Sequence, residues 1–159
     1  MMLGVLFWAV AVAWCDLSTR RIPNIVLLPG LVVAALAVMV TQAGLFGAAW
    51  PSALGGMALA MAPWLWGYRL GHVGAGDAKF AAILGLMFGV PVALVATLVA
   101  MAAFGLLSLI WVRAGWKGLR LPVAPWIVLG LAVAVVRDQG GLGSVSYTHL
   151  RAHETSLHL

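Results

Sequence analysis

Two aspartates, Asp16 and Asp77, stand at the edges of long apolar runs in a chain that is 64% hydrophobic and only 8% charged. The other acids, Asp138 and Glu154, lie near the C-terminus. Taken singly, each aspartate has a plain structural role. Asp77 follows Gly74-Ala75-Gly76 and can cap a helix by accepting backbone N–H groups. Asp16 can end a helix and pair with Arg20 or Arg21. Taken together they can do chemistry. Ionisable groups at the ends of membrane helices are costly to keep and are candidates for function. Two carboxylates brought close cannot both ionise easily, so they share a proton. The ionised member then activates a water while the protonated member polarises a carbonyl. That is aspartic-protease chemistry, and it calls for neither metal nor cofactor. Gly74 and Gly76 would let backbone or an extended substrate approach Asp77 closely.

The elements that must position this pair are membrane helices. A mean hydropathy of +1.09 over 159 residues predicts an all-α polytopic membrane protein. Six apolar segments are expected, at about 1–15, 25–42, 48–67, 78–90, 92–112 and 121–136. Val90-Pro91 reads as a tight turn between the fourth and fifth. The first segment, MMLGVLFWAVAVAWC, lacks a basic leader and reads as an uncleaved span. The net charge of +5 could suggest nucleic acid, but the bases sit singly or in small groups between apolar runs, which is the pattern of membrane loops. Arg20, Arg21, Arg69, Lys79, Arg113, Lys117 and Arg120 all fall on or beside the first, third and fifth loops. The second and fourth loops carry no base, so the odd loops are expected to be cytoplasmic. Trp14, Trp64, Trp66, Tyr68, Trp111 and Trp116 would anchor that face. Both aspartates then lie at one depth, and they meet if the first and fourth spans are neighbours.

At these residues a family becomes visible. CDLSTRRIPN (15–24) and GAGDAKF (74–80) resemble the two signatures of the type IV prepilin leader peptidases, membrane aspartic proteases of the Gly-x-Gly-Asp kind. LPVAPWIVLGLA (121–132) is similar to the proline-containing last span of small members. The resemblance implies that Asp16 and Asp77 are the catalytic pair. It implies a site near the cytoplasmic face of a bacterial inner membrane, where the leader of a prepilin or pseudopilin precursor is removed. The pilus or secretion assembly machinery would be a further partner. Some members also methylate the new N-terminus and carry a cysteine-rich insertion. With one cysteine, Cys15, this chain is expected to be a peptidase alone, of the tight-adherence (Flp) type.

Other residues carry lesser expectations. Arg21 and Lys79 are snorkelling interfacial bases by default, and secondarily can bias the pair or bind an acidic precursor residue. Pro23 and Asn24 break the chain and cap the second span. His72 and Cys15 read as structural, and Gly55-Gly56 as a close helix contact. Residues 1–143 form the expected peptidase domain. Residues 144–159, including VSYTHLRAHET, resemble a translated sequencing-adapter read-through and are expected to be foreign to the natural chain. The rival readings are a transporter or channel subunit using Asp16 and Asp77 as a proton or cation relay, and a noncatalytic partner of a secretion machine. A relay predicts acids nearer mid-span.

Overall fold

The computed structural model describes residues 1–115 and 121–138. Trp116, Lys117, Arg120 and the 144–159 segment therefore lie outside the described residues. Those described form six helices: α1 (Met2–Thr19), α2 (Asn24–Thr41), α3 (Trp50–Arg69), α4 (Ala75–Phe88), α5 (Val90–Arg113) and α6 (124–138). The all-α membrane architecture expected from composition is what the chain adopts. Of these helices, α1, α2 and α5 are long and apolar enough to cross a membrane.

Helix α1 shows how the sequence places Asp16. Leu3, Phe7, Val10, Trp14 and Leu17 form an exposed apolar stripe at helical spacing. Val5, Ala9, Val12 and Ala13 form the buried stripe, and Asp16 continues it, 5% exposed. The carboxylate thus faces the bundle because it is in register with the packed side of its own helix. The helix runs to Thr19, past the boundary expected at residue 15, and stops at Arg20 in the left-handed region (φ 53).

Helix α4 is the centre of the bundle. Its 14 residues reach only about 21 Å, short of the ~30 Å hydrocarbon thickness. It is buried from Asp77 to Phe88, with Lys79 the one exposed position in that run. A helix enclosed by protein has no need to match the bilayer. Its main neighbour is α3, with α2 and α5 beside it. The α3–α4 contact depends on two glycines: a Cβ on Gly56 would lie 2.5 Å from the Gly85 carbonyl oxygen, and one on Gly85 would run into that of Gly56. The backbones therefore touch directly, as Gly56 was expected to allow. Phe80, fully buried, meets Trp8 of α1 edge-on with centroids 5.5 Å apart.

Several boundaries differ from the sequence expectation. Val90-Pro91 is no turn; it opens α5, because proline suits the first helical positions. The turn is the single residue Gly89 (φ 78). Trp64 is 4% exposed and packs on Phe104 at 5.9 Å, so it belongs to the core and not to an interfacial belt. Trp14, Trp66 and Tyr68 are exposed as expected.

Candidate active site

The end of α1, the α3–α4 loop and the starts of α2, α4 and α6 share one end of the bundle. A cavity of about 330 Å³ opens there, lined by residues of the α1–α2 loop, the α3–α4 loop, the start of α4 and Leu121. Both Asp16 and Asp77 line it. This is where the two sequence signatures, 15–24 and 74–80, come together.

Asp77 is the third residue of α4, in its first turn, and is 5% exposed. Its Oδ2 accepts the Gly74 N–H at 3.1 Å, and its own N–H donates to the Gly74 carbonyl at 3.2 Å. Glycine lacks the hydroxyl that would complete a capping box, so Asp77 makes only the side-chain half of one. Its Oδ1 is buried with no hydrogen-bond partner among the described residues. Burial foremost, and the nearby Asp16 charge second, push the Asp77 carboxyl up to about 7, against the Gly74 N–H, which favours ionisation.

Asp16 has a different partner. Its Oδ2 accepts the Ala124 N–H at 3.1 Å, a buried bond to the start of α6. Neither aspartate pairs with Arg20 or Arg21 among the described residues, so the helix-end ion pair considered for Asp16 is not formed. No residue type announces the Ala124 contact, because a backbone donor leaves no side-chain signature. The one available hint was the pair Pro122 and Pro125, which marks a helix start on the same face as Asp16.

The supporting residues divide. Pro23 is the N-cap of α2, but Asn24 makes no side-chain cap. Its Oδ1 instead accepts from Lys79 Nζ at 3.1 Å, bridging the two signatures. Gly76 does not face open space: a Cβ there would lie 2.9 Å from Ile22 Cβ and 3.3 Å from the Ile22 carbonyl oxygen. The close approach it permits is to the chain's own α1–α2 loop. A Cβ on Gly74 would lie 3.1 Å from Asp77 Oδ2. Arg20, Arg21, His72 and Lys79 also line the cavity, giving it a basic border. No cluster of three His, Cys, Asp or Glu side chains that could hold a metal gathers among the described residues.

Chemically, the site offers two buried carboxylates that sense each other beside a polar cavity. The chain has no significant match among curated proteins or among solved structures. Residues 3–110, which include both aspartates and both signatures and stop short of α6, match the type IV leader peptidase family, and the chain belongs to that family.

Proposed function

We propose that this protein is a membrane aspartic endopeptidase that removes the leader of type IV pilin-like precursors at the cytoplasmic face of a bacterial inner membrane. The observation that carries the reading is the convergence of Asp16 and Asp77, each 5% exposed, on one cavity. The ionised carboxylate takes a proton from water as its oxygen attacks the scissile carbonyl. The protonated carboxyl gives its proton to the carbonyl oxygen, yielding a neutral tetrahedral diol. Collapse breaks the C–N bond, returns one proton to the pair and delivers another to the leaving nitrogen. The balance closes with one water consumed.

The depth of the site supports a peptidase over a proton relay. Both acids lie in terminal helical turns beside loops, where a polar leader can enter from water while its apolar sequel stays in lipid. The lone cysteine, Cys15, cannot supply a cysteine-rich cluster, in keeping with peptidase activity without methyl transfer and with a tight-adherence type of pilin.

The test is co-expression with a prepilin, following leader removal by the shift in its size. Asp16→Asn and Asp77→Asn are each expected to reduce cleavage roughly 100-fold or more at unchanged protein level. Full processing by either variant would sink the proposal.

A further inference from the structure

We propose that the start of α6 divides the labour of the pair: the Ala124 N–H holds Asp16 as the ionised, water-activating carboxylate and leaves Asp77 to carry the shared proton. The inference rests on the peptidase reading and concerns a segment beyond the residues that match the family. A helix leaves its first N–H groups without internal partners. In α6, Pro125 has no N–H, and the Trp126 and Ile127 N–H groups turn back to the Val123 carbonyl at 3.0 and 3.3 Å. The Ala124 N–H remains, and Asp16 Oδ2 takes it at 3.1 Å. Ala124 is fully buried, so water does not compete for the donor. A helix N-terminus favours an anion placed on its free N–H, through both the hydrogen bond and the dipole.

Asp77 is held in a different way. It also sits at a helix start, but its one donor is Gly74 of its own cap, and Oδ1 is left bare and buried. An unpartnered oxygen is far less costly as part of a neutral carboxyl than as part of a carboxylate.

The other charged or titratable groups around the pair are Lys79 on α4, His72 on the α3–α4 loop, and Arg20 and Arg21 on the α1–α2 loop; the first turn of α6 contributes none. These groups border one cavity and form an ion pair with neither acid among the described residues, so they do not choose between them. The asymmetry comes from backbone donors. Ala124 is thus a positioning residue, acting through Asp16.

Two measurements test this on the full chain. Below pH 7, infrared spectra are expected to show a protonated-carboxyl band that Asp77→Asn removes and Asp16→Asn keeps. The reverse pattern overturns the proposal. Replacing the Val123–Ala124 amide by an ester, through an α-hydroxy acid at position 124, deletes the donor and little else. The acidic limb of the cleavage-rate profile should then move up by about one pH unit. The same replacement at Leu129, five residues further along α6, should leave the profile in place. Identical profiles for the wild type and the position-124 ester overturn the proposal. If the wild type cleaves no precursor at all, the peptidase reading has failed instead, and the infrared result still decides where the proton sits.

Discussion

Lys79 Nζ donates to Asn24 Oδ1 at 3.1 Å, tying the segment that follows the first aspartate to the helix that carries the second. Both residues are exposed and both line the cavity, so the bond has little to do with core stability. Its consequence is register. Beside the Ile22–Gly76 contact, the bond fixes the offset at which the start of α2 meets α4.

Asn24→Leu and Lys79→Met are each expected to lower the cleavage rate about 10-fold while changing stability by no more than about 0.5 kcal/mol. If the residues act through each other, the double variant should be no slower than the worse single one, and this is measured by a double-mutant cycle on the rate. Additive losses would assign Lys79 a separate task, such as holding an acidic precursor residue.

The two glycines ahead of Asp77 should fail differently. Gly76→Ala puts a methyl 2.9 Å from Ile22 Cβ, so the α1–α2 loop must move; about 1–3 kcal/mol of stability and most of the cleavage should be lost together. Gly74→Ala meets only Asp77 Oδ2, at 3.1 Å, and φ at Gly74 is −79°, which alanine accepts. It should slow cleavage by turning the carboxylate while leaving the thermal midpoint in detergent nearly unchanged. Sequence alone suggests that bulk at Gly76 harms cleavage more than folding; the contact with Ile22 predicts that both suffer.

The membrane class, the apolar helices and the placing of Asp16 and Asp77 at one end of the bundle were legible in the residues, because hydropathy and the spacing of charges act along the chain itself. That Asp16 faces inward was not legible, since the exposed stripe of Leu3, Phe7, Val10 and Trp14 is as apolar as the buried one of Val5, Ala9 and Val12. What else was not legible depends on backbone. The Ala124 N–H has no side chain to announce it, and Gly89, as the true turn before Pro91, is visible only once α5 is seen to begin at Val90. Asn24 read as a cap because asparagine often caps; a tertiary partner 55 residues away took its side chain instead.

Gly56 and Gly85 set how near α3 comes to α4, and thereby where Asp77 sits. Gly85→Ala drives a methyl into the Gly56 carbonyl, and Gly56→Ala puts one 2.5 Å from the Gly85 oxygen and 2.6 Å from the Gly89 carbonyl carbon. Both obstacles are backbone and cannot rotate away. Either change should cost about 3 kcal/mol or more and sharply lower the yield of folded protein in membranes. Gly105→Ala, whose methyl would meet nothing within 4 Å, is the matched control and should behave as wild type.

Asp77 should also make the protein less stable as pH rises. Its carboxyl ordinarily ionises near 3.8 and in the folded chain does so at about 7. Between those values the folded state binds more protons than the unfolded one, so stability falls as pH increases through that window and levels off above it. Asp77→Asn carries no proton to lose, while its side-chain oxygen can still accept the Gly74 N–H. At pH 8 the variant should therefore outlast the wild type by on the order of 1–3 kcal/mol in detergent melts, while cleaving nothing. At pH 4 the advantage should largely vanish. A variant no more stable than wild type at pH 8 would mean that the buried Oδ1 finds compensation in the folded protein, and that the carboxylate is not held there at a cost.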